Sequence, residues 1–560
     1  MKVLAKYSLT LVLFLMTSAL VSCGRIEHET SDAKYLDVDR ARKSPNLKVI
    51  DIPTGTKTEV CIIPSAYPGL GGTMQKTVFG SAKLDELCKL RFAGSDTNYA
   101  ICPKDNSTNP AIEIFDISKL GVTRQVYENA TSSTGCNKSR EGKKLAKFKG
   151  TVTCSSTAAI LTAYYLSRFL DVGNVPASVL RTIDVTTMRN VTRKGLQSPL
   201  SGSWAQWDKV LNGSASPEIK DLTFTSDRQF IYGALSDNPR GEHKYPGHNV
   251  STYGSFLATA MMRKATSQGA AELIFENKKG IAAYALTQEI KGFSDLVIFD
   301  TLLSQQDRLG NIASRTKYFG FDIDAQKYDS EKTEDEANLR FGRNQYVAAE
   351  EILLKDNDCG IRGSQTVFLA NKTSSKLTHV SPETYVRLRW LAEESKSGRL
   401  AEFLIKSASR HDMKTAQNRW GNTVIASIDD GLKRMDSDFY SRCINGSLKL
   451  DLDPRDIAKN GYPKAEELKR RCSLVWNPTV TSSAGTQWQP SKGGTKVIAG
   501  PIFGPSSSPE RSQPNVCTST TRIAGQCITV SQCNDKGPSF TAQPGRCLRD
   551  PVGVQCCFKN

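Results

Sequence analysis

The chain has 560 residues and a formal charge of +17, with 39% hydrophobic residues, which is enough length for two or more domains. The charge favours anionic partners such as lipopolysaccharide, phospholipid headgroups, cell-wall acids or nucleic acid. The basic residues are spread along the chain with no aromatic-interleaved patch, so a nucleic-acid reader is not expected and the charge reads as solubility plus weak surface affinity.

The N-terminus comes first. Lys2 and Lys6 form a basic region, and Leu9 to Val21 is an apolar stretch too short to span a bilayer. Leu20-Val21-Ser22-Cys23 is similar to a bacterial lipobox. The resemblance implies a lipoprotein signal peptide over 1–22, lipidation at Cys23, and a membrane held through that anchor as partner. Gly24 rather than Asp follows the cysteine, which by the same resemblance favours the outer membrane of the cell envelope. Of 15 cysteines, 14 remain beyond Cys23, and an even number outside the cytoplasm favours disulfides. The five histidines are scattered and none pairs with cysteines at zinc spacing. His243 and His248 flank Lys244-Tyr245-Pro246-Gly247, which reads as a surface loop.

Residues 23–55 are polar and read as a tether. Region 56–125 is strand-rich, with Val60-Cys61-Ile62-Ile63 and Ile112-Glu113-Ile114-Phe115 between Gly- and Pro-rich turns. Tyr67-Pro68-Gly69-Leu70-Gly71-Gly72 is glycine-rich but lacks a strand–turn–helix setting, so it reads as turns. Residues 126–480 form an α+β body. Leu145 to Val152 alternates as a strand, Ile160, Ala163, Tyr164 and Phe169 recur at helical spacing, and a further strand lies around Val179 to Val185. Ser381-Pro382-Glu383 is a helix start, with Ser as cap and Pro at the first position; it opens a largely helical stretch to about 440. Asp329, Glu331, Glu334, Asp335 and Glu336 read as a charged, solvated loop. Residues 481–513 are a Ser-, Gly- and Pro-rich linker. Segment 514–560 carries Cys517, Cys527, Cys533, Cys547, Cys556 and Cys557, and so short a piece needs disulfides to hold a fold. Its pairing is not readable from sequence.

Chemistry gathers in two places. An apolar run ends in Gln305-Gln306-Asp307-Arg308-Leu309-Gly310-Asn311, and Asp356-Asn357-Asp358-Cys359-Gly360 follows about fifty residues later. Phosphoryl transfer needs an Asp to orient the attacking hydroxyl, an Asn to hold metal, and a later Asp after a strand to hold the metal bridging the phosphates. Upstream, Leu145-Ala146-Lys147-Phe148-Lys149-Gly150 places lysines before a helix at about 156–170. Lysine, helix, catalytic Asp and metal Asp then stand in kinase order. Cys359 reads as half of a disulfide rather than a nucleophile.

On Ala146 to Lys149, Ala163 to Leu170 with Val175-Pro176, Phe299 to Asn311, and Asp356-Asn357, residues 130–370 resemble the atypical kinases of the secretory pathway (Golgi casein-kinase type), together with HipA-type and phosphatidylinositol kinases. The resemblance implies a two-lobed protein-kinase-like body of α+β class, with a small disulfide-stapled module behind it. It implies Lys149 on the phosphates of ATP with Lys147 as the register alternative, Asp307 as catalytic base, and Asn311 and Asp356, helped by Asp358, on magnesium. The sequence departs from the family at three places. Ile160 stands where a Glu usually pairs the lysine, the Asp307–Asn311 spacing is one residue short, and Leu309 rather than His follows Arg308. The segment around Gly525-Gln526-Cys527, Gly545-Arg546-Cys547 and Gln555-Cys556-Cys557 is similar to clip-type six-cysteine appendages, which implies an accessory binding or protective role. Two functions therefore stand side by side: an extracytoplasmic, magnesium-dependent phosphotransferase acting on a protein, lipid or glycan hydroxyl, and a non-catalytic, pseudokinase-like surface lipoprotein serving as a binding scaffold.

Overall fold

In the computed structural model, the described residues run from 36 to 476 apart from internal segments, the longest being 246–278, 360–373 and 408–423; residues 488–489 and four strands between 516 and 559 complete them. The chain divides into two compact units, Met1–Gln489 and Pro490–Asn560. It is a mixed α+β protein built on antiparallel sheets.

The first unit contains a seven-stranded sheet in the order β1-β2-β6-β7-β5-β4-β3. Its strands are β1 (Leu47–Thr54), β2 (Lys57–Pro64), β3 (Tyr99–Pro103), β4 (Ile112–Asp116), β5 (Lys143–Lys149), β6 (Ser178–Asp184) and β7 (Phe230–Asp237), and every neighbouring pair is antiparallel. Burial follows position: every residue of β6, an interior strand, is buried, whereas β1 at the edge keeps a largely exposed or half-exposed run. The segment expected to be a tether differs from that expectation from residue 36 onward. Leu36 is fully buried, helix α1 (Val38–Lys43) is capped by Asp37, and β1 pairs with β2 over eight residues. Its apolar positions Leu47, Val49, Ile50 and Ile52 supply the contact with the core that a tether lacks. The strands expected at 60–63 and 112–115 share this sheet with β5 and do not form a sheet of their own.

Helix α2 (Thr157–Leu170) follows β5, with Ser156 as its cap. Thirteen of its fourteen residues are buried, so it is covered on every side rather than on one face. Helix α3 (Ser201–Leu211) adds the buried indoles of Trp204 and Trp207.

A second sheet joins β10 (Lys327–Glu331), β9 (Ala313–Asp322) and β11 (Tyr346–Leu353), with the short β8 (His243–Lys244) added to β9. Helix α4 (Ile281–Leu303) lies against β11, and Gly292 permits the approach, because a Cβ there would come within 3.1 Å of Ile352. His243 therefore begins a strand and bonds Glu350 at 2.9 Å, where a loop was expected; His248 lies outside the described residues. The acidic stretch also differs. Asp329 and Glu331 are on β10, and Glu334, Asp335 and Glu336 form the first turn of helix α5 (Glu334–Phe341), where carboxylates suit the helix dipole. Arg340 gathers Asp322, Asp329 and Glu331.

Helix α6 (Pro382–Lys396) starts as expected, with the Ser381 hydroxyl accepting from Thr384 N. Disulfides join Cys61 to Cys88, Cys102 to Cys136 and Cys443 to Cys472, and Cys359 is disulfide-bonded as well. Among the described residues no helix is long and apolar enough to cross a membrane.

In the second unit, β12 (Val516–Thr518), β13 (Ala524–Thr529), β15 (Val554–Lys559) and β14 (Phe540–Gln543) form an antiparallel sheet in that spatial order. Its register sets Cys527 opposite Cys556 and Cys517 opposite Gly525. Cys557 lies opposite Ala542 and Gln526, while Cys533 and Cys547 lie outside the described residues.

Candidate functional site

The site is built from two pieces of chain some two hundred residues apart. On β5 side chains alternate between faces. Phe148 turns into the core against Phe92, and Lys147 and Lys149 share the opposite face. On the other side, β11 delivers the chain to Leu354, whose N–H bonds Asn174 O. Asp356 takes a left-handed backbone (φ 55°), and one 3-10 turn follows at Asn357–Cys359. The Asn357 side chain donates to Leu354 O at 2.8 Å, which closes the turn on itself.

This geometry aims the carboxylates at the lysines. Lys147 Nζ lies 3.2 Å from Asp356 Oδ1, Lys149 Nζ lies 2.9 Å from Asp358 Oδ2, and a third contact joins Lys149 to Asp356 at 3.7 Å. Lys147 and Lys149, weighed as alternatives, thus reach the same cleft together. Burial works against the Asp356 carboxylate being charged, but Lys147, Lys149, Lys355 and Lys104 overcome it and hold its pKa well below the ordinary range. Burial likewise opposes the charge on Lys147, and Asp356 restores it, so its pKa is raised.

The cleft measures about 490 Å³ when the open solvent at its mouth is counted. Ile160, Val175 and Pro176 provide an apolar wall, and Ser236 to Pro239 together with Glu242 line another side. Ile160 from α2 therefore faces the cleft in which Lys147 and Lys149 stand. The turn is tied down on both flanks. Ser156 N donates to Asp358 O at 2.9 Å, coupling the start of α2 to the carboxylates. Asn109 shares its amide between Asp358 Oδ2 and Cys359 Sγ.

Sequence reasoning missed the support behind the turn. Asp300, buried in the last turns of α4, accepts a forked pair of hydrogen bonds from Arg308, Nε to Oδ2 and Nη2 to Oδ1, each at 3.0 Å, with a third from Nε to Oδ1 at 3.2 Å. Arg308 also donates to Asn357 Oδ1 at 2.7 Å and to Lys355 O. Gln305 Nε2 reaches Asp356 O at 3.1 Å. A charged residue inside the apolar run of α4 was the visible clue. Asp307 and Asn311 lie outside the described residues, as does Cys23. Gln305 and Arg308 are bonded to the turn that carries Asp356.

Asp356 and Asp358 are hard oxygen donors of the kind magnesium takes, whereas the Asn357 oxygen is already used by Arg308 and Gln305. Among the described residues no cluster of three or more His, Cys, Asp or Glu is placed to hold a metal. Two carboxylates suit a magnesium whose remaining ligands are substrate phosphates and water.

No family model and no curated protein sequence matches the chain. Among solved structures it is similar to the Golgi casein kinase, and to the Golgi casein kinase with Mn/ADP bound. Each is 12% identical, with 64% of this chain and 76% of the other covered and a TM-score of 0.30. The structural similarity is weak.

Proposed function

We propose that the cleft binds a magnesium–nucleoside triphosphate, with ATP as the natural candidate, and that the protein is a two-lobed, kinase-like phosphotransferase. The observation that carries this reading is the convergence of Lys147 and Lys149 with Asp356 and Asp358 on one open cleft. The lysines are placed for phosphate oxygens and the carboxylates for the metal those phosphates bring. When bound, magnesium supplies charge neutralisation at the phosphates. In the reaction the acceptor hydroxyl oxygen bonds the γ-phosphorus as the bond from that phosphorus to the β–γ bridging oxygen breaks, and the hydroxyl proton passes to Asp307. Asn311 is the proposed further metal ligand.

The acceptor is a protein, lipid or glycan hydroxyl. The chain is proposed to act at the bacterial cell envelope, anchored through a lipid on Cys23, with its positive charge favouring anionic surfaces. The six-cysteine segment is proposed as an accessory module. One observation favours the second reading, a non-catalytic nucleotide-binding scaffold: Ile160, not a carboxylate, faces the cleft beside the lysines.

The test is a thermal unfolding series with and without magnesium–ATP on the wild-type chain, Asp356→Ala and Asp307→Asn. A metal-dependent rise in Tm that Asp356→Ala abolishes supports the site, and its absence in the wild type sinks it. Turnover lost in Asp307→Asn with the Tm rise retained separates the phosphotransferase from the scaffold.

A further inference from the structure

We propose that Lys104 is a phosphate-binding residue of this cleft and joins Lys147 and Lys149 in a three-lysine subsite for a di- or triphosphate; this rests on the reading of the cleft given above. Lys104 is not among the residues that line the cleft, but the sheet sets it on the same face as the two lysines. Pro103 of β3 pairs with Ile112 of β4, which pairs with Phe148 of β5. Lys104 extends that pairing by one residue, its N–H donating to Ala111 O at 2.8 Å. Lys104 and Lys149 are each one position beyond the Phe148 row, so both face away from Phe148. They stand two strands apart, about 10 Å between backbones, a gap that two lysine side chains and a phosphate chain between them span. The backbone of Lys104 is fixed from behind, where the indole of the fully buried Trp204 donates to its carbonyl.

Charge matching singles Lys104 out. Glu242 is paired with Lys355, Asp237 with Lys83, and Glu113 with Lys144. Asp356 and Asp358 are paired with Lys147 and Lys149. Lys104 has no hydrogen bond or ion pair to its ammonium among the described residues. Burial first, then Lys147 and Lys149, push its pKa down to about 8, against the opposite pull of Asp356 and Glu113. A half-hidden ammonium beside two others is relieved by an anion with several charges, and lysine recognises phosphate as a point charge without needing a fixed fork.

The experiment is calorimetric titration of the full chain with pyrophosphate and with orthophosphate, free of metal. It uses wild type, Lys104→Met and Lys104→Arg at about pH 7 and about pH 9, either side of the Lys104 titration. Pyrophosphate is expected to bind more tightly than orthophosphate, and Lys104→Met to weaken it about tenfold. Wild-type affinity is expected to fall toward the higher pH while Lys104→Arg, which stays charged, falls less. A folded Lys104→Met that binds as wild type overturns the proposal, and so does a Lys104→Arg profile that follows wild type. If the Met variant fails to fold, the Arg profile decides. A magnesium–ATP response that needs Asp356 but ignores Lys104 overturns this proposal alone. Pyrophosphate binding that needs Lys104 without any such response overturns the nucleotide reading alone, and a wild type that binds neither overturns both.

Discussion

Lys147 with Asp356 in the cleft, and Arg308 with Asp300 behind it, are oppositely charged pairs held on the same turn, but water and ligand can reach only one of them. The cleft pair keeps 15% and 27% of its side-chain surface exposed, against 1% and 2% for the buried pair. The guanidinium spends its donors on two carboxylate oxygens, one carbonyl and one amide oxygen, so little of it is left for anything else. The ammonium of Lys147 makes a single point contact that an incoming phosphate can replace. The difference teaches that a forked, fully enclosed pair fixes the shape of the turn, while the more exposed lysine–aspartate pair is left open to exchange, as the proposed ligand site requires.

Breaking the enclosed pair should have the largest effect. Asp300→Ala leaves Arg308 buried without its counter-charge, and a loss of about 3–5 kcal/mol is expected in urea unfolding. A loss under about 1 kcal/mol would mean that water enters behind the turn.

Glu59 and Arg181 extend the comparison to a third place, because both are fully buried in the large sheet. Burial lifts the Glu59 carboxyl to about 7 despite the opposing pull of Arg181. A carboxyl raised in the folded state contributes stability that is complete below its unfolded pKa and fades as pH rises through the folded one. Wild type should therefore lose about 3 kcal/mol between its unfolded value and neutral pH. Glu59→Gln, measured across the same range by denaturant unfolding, should lack that slope; a parallel slope in both proteins would assign it elsewhere.

The smallest effect belongs to the cleft. Lys147→Ala still leaves Asp356 with Lys149 at 3.7 Å, and a cost below about 1 kcal/mol is expected. A larger loss in the same unfolding assay would make the cleft pair a structural strut and erase the contrast.

Much of this was legible locally. Alternation along Leu145 to Lys149 and the Ser381-Pro382 helix start carry their own geometry, because period and capping depend on near neighbours. Cys359 as a half-cystine was legible from parity and its acidic surroundings. What was missed depends on distant partners. Residues 38–54 looked polar enough for a tether because an edge strand needs only one apolar flank, and that flank finds its partner in β2. The acidic residues at 329–336 looked like a loop because Arg340, which gathers Asp329 and Glu331, comes later on the next helix. The placement of β5 between β4 and β7 joins segments nearly ninety residues apart, and no local pattern encodes it. Asp300 carried a trace of its role as a charge in the apolar last turns of its helix, but nothing in the sequence named Arg308 as its partner.

The left-handed backbone at Asp356 makes this position a two-stage filter on substitution. Asn and Gly tolerate that torsion, whereas β-branched residues are strained there. Among the residues the backbone accepts readily, only Asp also keeps a carboxylate. Sequence drift at 356 can therefore erase the proposed chemistry without straining the backbone, so a descendant of this protein could lose the proposed site in one step and keep its turn.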